Sequence, residues 1–285
     1  MDNKMKVKKL SLDFGVLIIA AIVYFTYFAV AKHKVELWMI LKALIEFLTA
    51  FICVAIIEFI SIRENRSIEI FSSKTAIIPF CIIFSLNIFS AIILDRFFGL
   101  NNSTTGKSNF TIVFLFQLVI TSYILISYLF KIKLSSFKWN ISKKTFLYII
   151  LLFLIINISD LINSLLLNGK IITATGHNYI VWLFISTSFH IFYPALCEEV
   201  LWRGILISAL RGMRIKNEYC NIIQAVLFGL AHTFMIGTNI SFIFVLHTAV
   251  QMIWGYVFGK LYFKTKSLVP GMIFHALFNT RYFIV

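Results

Sequence analysis

Acidic residues are scarce in this chain, prolines scarcer still, and no two cysteines stand close together. Twelve Asp and Glu face 26 Lys and Arg, and charged residues make up 13% of the sequence, about half the share of an ordinary soluble domain. Hydrophobic residues reach 60%, more apolar surface than a water-soluble core of this length can hide, so a soluble globular protein is excluded and lipid is the expected solvent. Only Pro79, Pro194 and Pro270 interrupt the chain, which suits long helices. Cys53, Cys81, Cys197 and Cys220 are scattered without a CxxC pair, which argues against a disulfide framework or a zinc knuckle. No period-2 alternation of apolar and polar residues is seen, which argues against an outer-membrane barrel. The net charge of +14 is spread between apolar runs instead of forming one patch, so it reads as topology and not as a nucleic-acid surface.

What is present is a series of apolar runs near the length needed to cross a bilayer. Nine are read, over 12–31, 37–62, 75–94, 110–130, 145–168, 180–202, 221–236, 241–260 and 268–284, the seventh and ninth being short. The expected fold is therefore all-α, a polytopic transmembrane bundle of about eight or nine spans. The first run follows Lys4, Lys6, Lys8 and Lys9 and ends near Ala29-Val30-Ala31, which resembles a signal-peptide cleavage site. Its length and the runs that follow favour a retained first helix. With the N-terminus in the cytoplasm, every cation falls on the cytoplasmic side except Lys32, Lys34, Lys42, Arg96, Lys107, Lys170 and Arg281, as the positive-inside rule requires. The basic stretch from Lys131 to Lys144 serves that topology, with contact to anionic lipid as its functional alternative.

Ionisable groups inside a membrane are costly, and each asks for a reason. They concentrate in the last third of the chain. Glu198-Glu199-Val200-Leu201-Trp202-Arg203 closes the sixth run, Phe228-Gly229-Leu230-Ala231-His232 lies in the seventh, and His275-Ala276-Leu277-Phe278-Asn279 lies in the ninth. Residues four apart share a helix face, so Glu199 can pair with Arg203, while Glu198 points elsewhere and is the available base. Phe228 can wall the face that carries His232, and Gly229 and Ala231 allow a neighbouring helix close. His275 and Asn279 share one face and can donate to a single oxygen, as an oxyanion requires. The assembled expectation is a water held by Glu198 and His232 attacking a carbonyl whose oxygen faces His275 and Asn279. A metal version uses Glu198, His232 and His275 as three ligands with an open position, as in catalytic zinc sites, although HExxH is absent. Cys197 and His190 read as core residues, and His247 as an interhelical bond. Glu46, Glu58 and Asp160 read as locally paired or snorkelling groups, and His33 and His177 as loop residues.

These three motifs, in this order, resemble the CAAX-protease and bacteriocin-processing family (CPBP, also called Abi), whose pattern is Glu-Glu-x-x-x-Arg, Phe-x-x-x-His and His-x-x-x-Asn. Trp202-Arg203-Gly204 is similar to the aromatic-Arg-Gly ending of the first motif. The resemblance covers roughly 180–285, within a core taken as 145–285; helices over 1–144 match nothing specific. It implies an intramembrane peptidase with Glu198 activating water, His232 beside it, and His275 and Asn279 at the oxyanion. The implied substrate is a peptide or small membrane protein, of the bacteriocin, pheromone or regulatory class. The Lys-, Ile-, Asn- and Phe-rich composition points to a bacterial cytoplasmic membrane. The rival reading is a non-catalytic immunity or sensor-regulating protein whose polar residues only knit helices together.

Overall fold

The structure is a computed structural model that describes residues 13, 15–16, 18, 37–59, 69–98, 128–130, 132–168, 179–234 and 242–280. The runs read at 12–31 and 110–130, and His33 and His177, lie almost wholly outside them. Among the described residues all regular structure is helical: α1 (Leu37–Phe59), α2 (Ile77–Phe98), α3 (Lys143–Asn168), α4 (Tyr179–His190), α5 (Ile207–Gly212), α6 (Asn217–Phe234), α7 (Phe242–Thr265) and α8 (Leu268–Thr280). The expected all-α class is thus observed. One described stretch, Lys143–Leu166 in α3, is both long and apolar enough to cross a bilayer, and Leu268–Thr280 is a shorter apolar helix.

The sixth run departs from its expected form. It does not stop at 202 but continues to Gly212, through two π-helical stretches, Ile191–Leu196 and Glu199–Leu206, into α5. Tyr193 is extended (φ −146°, ψ 123°), and Pro194 after it has no N–H to give a helix, so the path kinks just before the Glu-Glu pair. Arg203, one of the cations assigned to the cytoplasmic side, is fully buried in the bundle and marks no water boundary. The pair consequently lies roughly 15–20 Å from the end of the helical path at Gly212. There the chain turns on Arg214 (φ 64°), with Arg214 N–H donating to Arg211 O at 2.9 Å and Ile215 N–H to Leu210 O at 3.1 Å. This is a left-handed residue closing a helix by paired bonds to its last turn.

Helix α7 is the axis of the described bundle. From Ile253 to Tyr262 every side chain is buried, because three stripes four residues apart face three different neighbours. Gly255 and Gly259 face α6, where Asn221 Nδ2 donates to Tyr256 O at 3.1 Å. Trp254 and Phe258 face α8, with Phe274 and Phe278 packed edge-on or tilted against them. Tyr256, Lys260 and Lys264 face acidic groups of the N-terminal segment. The basic connection before α3 is stitched to the α7–α8 turn: Leu268 N–H donates to Lys138 O at 3.0 Å and Ser267 Oγ–H to Asn140 O at 2.6 Å.

The close α6–α7 approach depends on the missing side chain of Gly259, where a Cβ would overlap the Asn221 side-chain oxygen. Gly259→Ala is therefore expected to destabilise the protein by about 1–3 kcal/mol, the usual cost of overpacking. Thermal unfolding in detergent measures it, and Gly15→Ala, at a helical position where a Cβ meets nothing within 4 Å, should not lower the midpoint.

Candidate active site

The path after Pro194 carries Glu198 on a short α-helical step and then Glu199 and Arg203 in the π-helical stretch, and the two carboxylates meet different sets of partners. Arg203 Nη1 donates to Glu199 Oε1 at 3.0 Å, with both side chains at 1% exposure or less. Arg203 Nη2 donates to Gly255 O at 3.1 Å. The guanidinium also lies between two rings, 4.8 Å from the centre of Phe228 and 5.2 Å from that of Phe258, where π faces help offset its lost hydration. Gln224 Nε2 donates to the same Gly255 carbonyl at 2.7 Å. Glu199 is thus the carboxylate that neutralises a buried charge, as i,i+4 spacing led one to expect.

Glu198 is 22% exposed, and its Oε2 lies 3.9 Å from His232 Nε2 and 3.8 Å from His275 Nε2. Both imidazoles are held from behind. His232 Nδ1 lies 2.8 Å from Phe228 O; a carbonyl only accepts, so Nδ1 carries the proton. The Phe228 ring stands 4.4 Å from that of His232. His275 Nδ1 lies 3.2 Å from Glu199 Oε1, and its ring stacks on Phe258 at 4.7 Å. With Nδ1 donating in each case, both Nε2 atoms present lone pairs towards Glu198. Glu198 Oε2 is itself buried and makes no hydrogen bond to a described residue. Three acceptors therefore converge on one space.

That donor set has the chemistry of a metal site, including outer partners on both imidazoles. Its separations are wider than the edge of about 3.3 Å that zinc–nitrogen bonds of about 2.0–2.1 Å imply for a tetrahedron. No group of three or more His, Cys, Asp or Glu among the described residues is already drawn into metal-ligand range. Asn279 is half-buried one turn after His275, on the same face.

The structure thus brings Glu198, Glu199, Arg203, His232 and His275 into one cluster, with Asn279 at its edge. The motif reading did not include Gly255, Phe258 and Gln224, which hold Arg203 and His275. Gly255-x-x-x-Gly259, a small-residue spacing that marks close helix contact, was the available signal. Trp202 packs edge-on to Phe80, Phe84 and Phe228 at 5.5–5.6 Å, so α2 backs the cluster. Cys197 is a buried core thiol. His190 is half-buried, its Nδ1 donating to Ser186 O at 2.8 Å. Glu46 and Glu58 are paired, to Trp254 Nε1 and Lys260 Nζ. Asp160 is half-buried on α3, and the His247 side chain lies outside the description.

An all-helical protein with a Glu/His/Arg cluster inside its bundle is the class this geometry defines. Residues 178–281 match the family model of the type II CAAX prenyl endopeptidases, Rce1-like, in keeping with the resemblance carried by the three motifs. That family is one of membrane-embedded proteases. No curated protein and no solved structure matches the chain.

The two neighbouring carboxylates should separate by stability. Glu199→Gln leaves the Arg203 charge buried without its partner and is expected to cost about 3–5 kcal/mol. Glu198→Gln is expected to stay within about 1 kcal/mol of the parent. Paired thermal or denaturant unfolding in detergent reads both.

Proposed function

We propose that the chain is an intramembrane endopeptidase that hydrolyses a peptide bond with a water activated by Glu198 and His232. One observation carries this reading: Glu199 is consumed by Arg203 and His275, whereas Glu198 Oε2 faces two imidazole Nε2 atoms at 3.8–3.9 Å. A water among these groups donates to Glu198 and His232. Glu198 takes its proton as the water oxygen bonds to the substrate carbonyl carbon. The oxyanion faces the Asn279 amide and His275, which donates from Nε2 as an imidazolium that takes its second proton from bulk water before the cycle and keeps it throughout, its Nδ1–H held by Glu199. Collapse breaks the C–N bond as Glu198 returns the proton to the leaving amine. Nothing in this sequence of steps requires a metal. Glu198, His232 and His275 would hold a zinc ion if one binds, and it would supply Lewis-acid polarisation of the water.

A site inside an apolar bundle suits a peptide or small membrane protein as substrate. The family resemblance supports the bacteriocin, pheromone or regulatory class, the composition a bacterial cytoplasmic membrane, and the cation distribution an N-terminus inside. The domain division at 144/145 and the count of eight or nine spans belong to the same proposal.

The test is cleavage of candidate precursor peptides by purified full-length protein in detergent, comparing wild type with Glu198→Ala and His232→Ala, each with and without chelator. Both variants are expected to lose about 10²–10⁴-fold in kcat/KM, the range for an acid–base group. Loss on chelation in the wild type assigns a metal, and its absence assigns the bare glutamate. Cleavage that is equal in all three proteins sinks the assignment. No cleavage by any, with both variants fully active in cells, gives the reading to a non-catalytic immunity or sensor-binding protein.

A further inference from the structure

The segment matched by the peptidase family begins at 178, yet three acidic side chains from well before it are buried against α7. Glu46 Oε2 accepts from Trp254 Nε1 at 3.1 Å. Lys260 Nζ lies 2.7 Å from Asp13 Oδ1 and 2.9 Å from Glu58 Oε1. Tyr256 Oη–H donates to Asp13 Oδ1 at 2.5 Å, and Lys264 Nζ to Glu58 O at 2.8 Å. Asp13 is 0%, Glu58 3% and Lys260 6% exposed. Burying these ions is expensive, and partners supplied from distant parts of the chain make their arrangement specific.

Helix α7 carries the consequence to the site. Tyr256 and Lys260 occupy one stripe of the helix, while Gly255 and Phe258 within the same two turns face the cluster. The Gly255 carbonyl receives Arg203 Nη2 and Gln224 Nε2. The Phe258 ring lies against both Arg203 and His275. Turning or sliding α7 by a fraction of a residue would move the carbonyl and the ring together, and with them the partners of Glu199. A helix buried on every side resists such motion only if each side is held. On the Tyr256–Lys260 stripe the holding groups are Asp13 and Glu58, and Glu46 holds Trp254 on the stripe it shares with Phe258.

We propose that the N-terminal helices form the outer half of the catalytic scaffold. Asp13, Glu46 and Glu58 clamp α7 through Trp254, Tyr256 and Lys260, so that Gly255 and Phe258 fix Arg203 and His275 in their working positions. Lys260 is thus a positioning residue that touches no reacting atom. The activity readout rests on the peptidase reading; the assignment of α7 as the coupling element does not.

The test uses full-length protein in detergent and three variants, Lys260→Met, Lys260→Arg and Tyr256→Phe. Lys260→Met is expected to lower kcat at least tenfold with KM within about twofold, and Lys260→Arg to recover most of the loss. Tyr256→Phe keeps every charge and removes one hydrogen bond to Asp13, so it remains informative if the Met variant folds poorly. It is expected to lower kcat two- to fivefold at unchanged KM. Nitrogen-15 spectra of histidine-labelled protein provide a reading independent of turnover. The His275 Nδ1–H signal should shift in Lys260→Met and Tyr256→Phe and return in Lys260→Arg, while that of His232 stays in place. Unmoved His275 signals overturn the proposal, with or without cleavage. So does a joint collapse of kcat, KM and both histidine signals in all three variants, which would mark Lys260 as a general structural residue. If the wild type cleaves nothing but His275 responds as described, the peptidase reading fails and the clamp stands.

Discussion

A guanidinium with no access to water sets the terms for the rest of this structure. Stripping Arg203 of solvent costs several kcal/mol even after relaxation, and the fold offsets that cost from four directions. Glu199 supplies the opposite charge, the Gly255 carbonyl a second acceptor, and Phe228 and Phe258 two π faces. Those four groups sit on three helical segments, the π-helical stretch, α6 and α7. Arg203 therefore ties the π-helical stretch after Pro194 to α6 and α7, and through Glu199 to His275 on α8. The same bonds that neutralise the charge orient an imidazole. Stability and site geometry are one set of contacts here, which is why a fully buried charge lies beside a partly exposed carboxylate.

Close helix approach makes that network possible. Glycine at 229, 255 and 259 removes side chains where α6 and α7 meet, and Gly271 leaves room for Glu199, whose Oε2 would lie 2.7 Å from a Cβ at that position. In lipid, where burying apolar surface gives helices little drive to associate, small residues and interhelical hydrogen bonds take over that task. The Asn221 and Gln224 bonds to α7 carbonyls fit this pattern. The exposed faces of α1 and α3, rich in Leu, Ile and Phe, fit a bundle whose outer solvent is hydrocarbon.

Much of the site was legible before any coordinates. Four-residue spacing predicts the Glu199–Arg203 pair and the separate role of Glu198, and the order of the three motifs anticipates that His232 and His275 meet it. Helical class and most helix positions follow from apolar length. Three things were not legible. A local break at Tyr193 and the continuation past Arg203 depend on tertiary contacts that periodicity does not report, since a buried, paired arginine looks in sequence like one at a membrane surface. Backbone groups such as the Gly255 carbonyl have no side-chain signature. Glu46 and Glu58 read in the sequence as locally paired or snorkelling groups, whereas their partners, Trp254 and Lys260, lie 208 and 202 residues further along the chain.

Two adjacent carboxylates meet one imidazole where the helical path changes from α to π. In an α-helix neighbouring side chains diverge by about 100°, which would send Glu198 and Glu199 to different surroundings. The i→i+5 pattern widens the turn and is found at functional sites out of proportion to its rarity. Here it begins at Glu199, and His275 meets both acids, Nδ1 on Glu199 at 3.2 Å and Nε2 near Glu198 at 3.8 Å. One ring thus has a proton committed to the structural acid and a lone pair turned towards the reactive one.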